Sequence, residues 1–229
     1  MIACQRDIDL CQFHEWYDLF KHVSIKSKVV PLPEEFFNYL SEDGVFTPLP
    51  SHLDHDHLSD EEDNEESKSS ASEARAHYRF PEVEAAIAEA LDQFGRSVFV
   101  KTNWSAPLDA VWMNAGSMKC ISINEVFLLV KSSDRVLFDV EKMYDMVPLC
   151  TKRRPDVLHL VLRKWANLHP SMEFRAFVFS RRLIGVCQRN CHTYFPFLPG
   201  EAGAYLSKIE DFYTKEIQDT TLLDSCKLS

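Results

Sequence analysis

The stretch from Ser51 to Ala76 limits the architecture most, because it carries Asp54, Asp56, Asp60, Glu61, Glu62, Asp63, Glu65, Glu66 and Glu73 and almost no large apolar side chain. Such a run cannot bury enough surface to offset the entropy of ordering it, so it reads as a disordered linker. The fold must then be assembled from residues 1–50 and 77 onward. Only Lys68 and Arg75 oppose the nine acidic groups, so the tract holds a net −7 of the chain's formal −10. The remainder is close to neutral and is compatible with a cationic cleft. His52, His55 and His57 lie among these carboxylates, but acidic tracts often carry histidines without holding a metal. Ser59, beside Asp60, is a candidate for phosphorylation, which would add charge to a solvated segment.

Outside that tract the chain has ample material for a core, since 45% of its 229 residues are hydrophobic and 12% aromatic. No apolar run reaches the length of a membrane helix, and the N-terminus lacks a basic region followed by an apolar one, so a cytosolic location without membrane contact is expected. The seven cysteines, odd in number and scattered through core-like segments, read as reduced thiols.

Phe13, Trp16, Tyr17 and Phe20 recur at helical spacing, an aromatic stripe that reads as core more readily than as interface. Pro31 and Pro33 interrupt the chain, and residues 34–40 offer a second short helix. Pro81 opens a helix running to Phe94, with Gly95 as its stop. Ser122 and Glu125 have the spacing of a capping box before the apolar run 126–130. Residues 157–165 read as a strand ending in Arg163-Lys164-Trp165. Residues 173–179 and 183–188 form a hairpin with a basic tip at 180–182, and Tyr205 to Ile217 follows helical spacing.

The chemistry gathers after the short strand Val98-Phe99-Val100. Lys101, Asn103, Trp104, Ser105 and Ala106 follow it at once, and Pro107 closes the segment. An ammonium at a strand end suits a phosphate, and an indole offers a face for stacking. The alternative is an ordinary strand-end lysine with a half-buried tryptophan. Further cations end other strands: Arg163 with Lys164, Arg175, and Arg189 after Gln188. On a shared sheet these could converge on a triphosphate, while surface solubility is the plainer explanation.

Several classes are excluded. Six glycines, none in a nucleotide-loop pattern, rule out P-loop and Rossmann sites. No serine occupies a nucleophile elbow, and Cys187, Cys191 and His192 lack the second paired motif that zinc requires. Paired carboxylates suited to magnesium are absent from the ordered part, Glu210-Asp211 being explained by an exposed helix face. No catalytic residue and no metal ligand is assigned.

In order along the chain, several motifs resemble the cell division cycle protein 123 family. They are Asn103-Trp104-Ser105-Ala106-Pro107 after Lys101, Phe127-Leu128-Leu129 before Lys131-Ser132-Ser133-Asp134, Leu162-Arg163-Lys164-Trp165, Glu173-Phe174-Arg175, and Leu183-Ile184-Gly185 with Gln188-Arg189. The resemblance implies an α/β (α+β), ATP-grasp-like fold with mixed or antiparallel sheets, packed helices and an incomplete second subdomain. It divides the chain into an N-terminal aromatic segment packing on the core (1–50), the acidic linker (51–76), an ATP-grasp-like core (77–218) and a divergent tail (219–229).

The resemblance also implies ATP and magnesium as cofactors. Lys101 and Arg175 would face phosphates, Arg163-Lys164-Trp165 would lie beside adenine, Asn103 to Pro107 would close over the nucleotide, and Gln188 and Arg189 would line the same cleft. Leu108 departs from the family, which often has a basic residue there. The family's magnesium-holding segment lies beyond the likeness, which fades after Gln218, so weak ATP and magnesium binding is expected. The implied function is assembly of eukaryotic translation initiation factor 2 through its gamma subunit, by a monomer that binds no nucleic acid directly. The alternatives are an ATP-grasp enzyme activating a carboxylate and a truncated regulatory form that binds the partner without ATP.

Overall fold

The computed structural model describes residues 4–50, 78–148, 150–220 and 226–228, so the linker expectation for 51–76 lies outside the described residues. The chain divides into two compact units, residues 1–165 and 166–229.

In the first unit, four strands form a wholly antiparallel sheet in the order β1-β4-β2-β3. They are β1 (Ser27–Pro31), β2 (Val98–Lys101), β3 (Lys119–Cys120) and β4 (His159–Lys164). Alternation along each strand separates two faces. Val30, Leu160, Leu162, Val98, Val100 and Cys120 point to one side and join the main core. The helices Pro81–Gln93 and Ile123–Lys131 cover that side with Val83, Ile87 and Ala90, and with Val126, Leu129 and Val130. At its margin Phe36, Tyr39, Phe46, Tyr78, Phe80 and Phe127 make a network of ring contacts with centroids 4.8–6.4 Å apart.

The opposite face carries Val29, Val161, Arg163, Phe99 and Lys101, and the helix Phe13–Phe20 lies on it. Phe13 and Tyr17 are buried there against Val161. Burying a phenylalanine fully, as at Phe13 (0% exposed), contributes about 2–3 kcal/mol. The aromatic stripe is therefore core.

Local signals explain most boundaries. Pro81 sits in the first turn of its helix, and Gly95 leaves the last turn at φ 80°, a conformation open to glycine without strain. Ser122 Oγ accepts from Glu125 N, while Glu125 Oε2 accepts from Ile121 N, one residue before the expected cap partner. Several elements escape the sequence reading, β1 and the helix Asp134–Glu141 among them. β1 is half polar and ends in Pro31, which is tolerable because β1 is an edge strand. The helix Asp134–Glu141 starts at Ser133, whose Oγ accepts from Val136 N.

In the second unit, β5 (Phe174–Phe179) lies between β6 (Arg182–Gln188) and β7 (Cys226–Leu228), all antiparallel. The hairpin turn places Ser180 and Arg181 at φ 47° and 57°, the positive-φ pair that matches strand twist in a two-residue loop. The helix Leu198–Phe212 continues as a π-turn over Tyr213–Ile217. β7 lies in the stretch that the sequence reading set apart as a tail, and it pairs with Ala176 to Val178. Among the described residues no helix is long and apolar enough to cross a membrane.

Candidate functional site

Lys101 ends β2, and the chain turns immediately. Thr102 N donates to Ser105 O at 2.8 Å, closing a short loop over residues 102–105. A buried carboxylate organises that loop from the neighbouring helix Asp134–Glu141. Asp139 Oδ2 accepts from Ser105 N at 2.7 Å and from Thr102 Oγ1 at 3.1 Å, and its Oδ1 accepts from Ser105 Oγ at 2.8 Å. Burial raises the Asp139 carboxyl above the ordinary aspartate range, opposed by those hydrogen bonds and by the charge of Lys101.

Asn103, expected as a nucleotide contact, is 0% exposed, and its hydrogen bonds go to protein. Its Nδ2 donates to Gln12 Oε1 at 2.6 Å and Val157 O at 2.9 Å, and its Oδ1 accepts from His159 N at 2.6 Å. Its carbonyl accepts from Phe13 N at 2.7 Å. Trp104 Nε1 donates to Ile8 O, and its ring meets Tyr144 edge-on at 5.9 Å. Ala106 packs against the main core. Asn103, Trp104 and Ser105 thus stitch the N-terminal segment and Asp139 to the strand end.

The cations behave differently. Lys101 and Arg163 share a sheet face as diagonal neighbours, since Lys101 opposes Val161 and Arg163 opposes Phe99. The Phe13 ring serves both, with Lys101 Nζ 4.9 Å and Arg163 Cζ 5.5 Å from its centroid. Burial, and then the charge of Arg163, lowers the Lys101 ammonium to about 8, with Asp139 acting in the opposite sense. Burial also lowers the Arg163 guanidinium, and its Nε is buried with no hydrogen-bond partner. An anion would answer both costs at once. Lys164 is exposed on the opposite face, and Trp165 continues the sheet by donating its N–H to Ser97 O at 3.3 Å.

At the other end of β4, His159 stacks on His14 with centroids 3.9 Å apart, and neither Nδ1 has a hydrogen-bond partner. Burial first, and then His14, pushes His159 down to about 4, so its ring is neutral near neutral pH.

In the second unit, Arg175 opposes Cys187 on the hairpin, and its Nε is buried without a partner. Gln188 Nε2 is in the same condition and borders a cavity of about 600 Å³ lined by Phe174, Val186, Tyr205 and Ile209. Arg189 is engaged by Glu173 at 2.7 Å. Each unit by itself carries donors that no protein group uses. Among the described residues no three His, Cys, Asp or Glu side chains come together in a way that could hold a metal ion.

Sequence reasoning missed Asp139, Gln12 and the part played by Phe13. One signal was available for Asp139: it shares an apolar stripe with Val136 and Val140 at helical spacing, where a carboxylate must find partners. Gln12 and Phe13 carried no such signal, because their role depends on a contact across most of the first unit.

A family model described as D123 matches residues 16–227. Cell division cycle protein 123 of Yarrowia lipolytica is 40% identical over 219 residues, covering 92% of this chain and 56% of that protein. The translation initiation factor eIF2 assembly protein of Xenopus laevis is 37% identical over 218 residues, covering 91% of this chain and 64% of that protein. The solved structure of Cdc123 from Schizosaccharomyces pombe aligns over 99% of this chain and 80% of its own, with a TM-score of 0.78 at 31% identity. That similarity agrees with the expected fold of antiparallel sheets and packed helices. The chain spans between about half and two thirds of the length of the curated relatives it matches.

Proposed function

Because the chain belongs to the D123 family, we propose that it acts in the assembly of eukaryotic translation initiation factor 2, engaging the gamma subunit and taking ATP as an organising ligand. One observation supports the nucleotide part: Lys101 and Arg163 share a sheet face, lowered in basicity by burial and, among the described residues, unmatched by any carboxylate within ion-pair distance. They would hold phosphate oxygens, the lysine as a compact charge and the arginine through its fork. In the second unit, Arg175 Nε and Gln188 Nε2 are free for the same kind of acceptor. Magnesium is assigned no residue and no step.

Calorimetric titration of the folded chain into purified gamma subunit tests the partner, and titration with ATP tests the ligand. Saturable binding to the subunit is expected, with ATP binding weakened at least about tenfold in Lys101→Ala. A folded chain that leaves the subunit untouched would overturn the assembly role. Unchanged ATP affinity in Lys101→Ala would overturn the assignment of the phosphate site.

A further inference from the structure

Asp139 is wholly buried and accepts three hydrogen bonds, all from neutral donors in the loop that leaves β2. No lysine or arginine among the described residues lies within ion-pair distance of it. A buried carboxylate is costly, and an asparagine of the same shape could accept from Ser105 N and Thr102 Oγ1 while donating to Ser105 Oγ. Tying down the loop therefore does not by itself call for a charge. The nearby group that does is Lys101.

Lys101 is faced by Arg163 from β4 and by the Phe13 ring from the helix Phe13–Phe20, and the Asp139 carboxylate, which accepts from the hydroxyl of the next residue, Thr102, acts on it through its charge. His159, further along β4, is held neutral near neutral pH. Arg163 repels the ammonium, and the ring offers it a quadrupole alone. Asp139 is the one negative charge in the group.

We propose that Asp139 is the positioning residue of the Lys101 site: it ties the loop leaving β2 to the helix Asp134–Glu141 and is the counter-charge of the ammonium that meets an anionic ligand. This rests on the phosphate-site reading above. The same carboxylate thus sets both the direction in which β2 delivers the lysine and the charge the lysine carries on arrival.

The test is the titration of Lys101 in the unliganded chain, followed by NMR of side-chain-labelled lysine and assigned with Lys101→Arg. The wild-type ammonium is expected to titrate near about 8. In Asp139→Asn it is expected to titrate at least about half a unit lower, so ATP affinity above about pH 8 should fall by up to about threefold and recover as the pH is lowered. A Lys101 titration unchanged in Asp139→Asn would overturn the proposal. If Asp139→Asn does not fold, the Asp139 carboxyl carbon is followed in Lys101→Met instead. The coupling is reciprocal, so that carboxyl should titrate at higher pH than in the wild type, and no movement would overturn the proposal. A wild-type chain that ignores ATP would refute the phosphate-site reading alone, because the lysine titration needs no nucleotide.

Discussion

The first unit encloses its apolar surface and the second leaves much of its own open. In residues 1–165 both sheet faces are packed, one under the helices Pro81–Gln93 and Ile123–Lys131 and the other under Phe13 and Tyr17. In the second unit Val178 and Tyr213 are the buried large apolar side chains among the described residues, while Phe179, Ile184, Tyr194 and Phe197 are exposed by 46–76%. Both units pair their strands antiparallel. The contrast shows that antiparallel pairing alone leaves apolar surface open, whereas a closed core needs a covering layer from elsewhere in the chain. The stability of residues 1–165 should accordingly depend on core packing far more than that of residues 166–229.

Truncation of a core residue gives the largest effect. Leu160→Ala removes a fully buried side chain from the main core and should cost about 3 kcal/mol. Leu206→Ala, at a side chain 42% exposed, should cost under about 1 kcal/mol. All four tryptophans, Trp16, Trp104, Trp112 and Trp165, belong to the first unit, so their fluorescence during urea unfolding reports on that unit alone. A Leu206→Ala shift in the tryptophan signal as large as that of Leu160→Ala would mean that the two units unfold as one and would dissolve the contrast.

A smaller effect is expected at Lys131, one of the few buried charges of the first unit. Its ammonium donates to the carbonyls of Tyr39, Leu40 and Glu42 where the helix Glu35–Ser41 ends, and it lies over the rings of Tyr39 and Phe46. Lys131→Met should lose about 2 kcal/mol by orphaning those carbonyls. Hydrogen exchange should rise first in the helix Glu35–Ser41. Uniform acceleration across the first unit would indicate that the lysine does not act locally.

The smallest effect concerns acid. His159 is held down to about 4 in the folded chain, against an ordinary value of 6.5, so between those values the unfolded chain binds more protons. Its contribution to stability is complete above about pH 6.5 and is lost as the pH falls toward 4, about 1 kcal/mol after solvent screening. Urea unfolding followed by tryptophan emission across that window should show the decline, and His159→Gln should flatten it. An equal decline in both proteins would place the acid sensitivity elsewhere.

Much of the framework was legible before any coordinates. The Pro81 helix, the Ser122 cap, β2, β4 and the hairpin around Ser180-Arg181 each carry their signal within a few residues. β1 and the helix Asp134–Glu141 were not legible, because a half-polar edge strand and a helix with a buried aspartate look like loop until their partners are known. The candidate site divides in the same way. The cations Lys101, Arg163 and Arg175 could be singled out as charges at strand ends. The commitment of Asn103 to Gln12, Val157 and His159, and of Ser105 to Asp139, could not, because those partners lie 34–91 residues away along the chain.

By itself, then, the sequence determined the periodic elements, the cationic strand ends and the likeness to a family, all of which reside in local pattern or ordered motifs. The tertiary structure alone decided which polar side chains are spent on the protein and which keep a free donor. Hydrogen-bond satisfaction and burial are properties of neighbours in space, and folding brings together neighbours that the linear order keeps far apart.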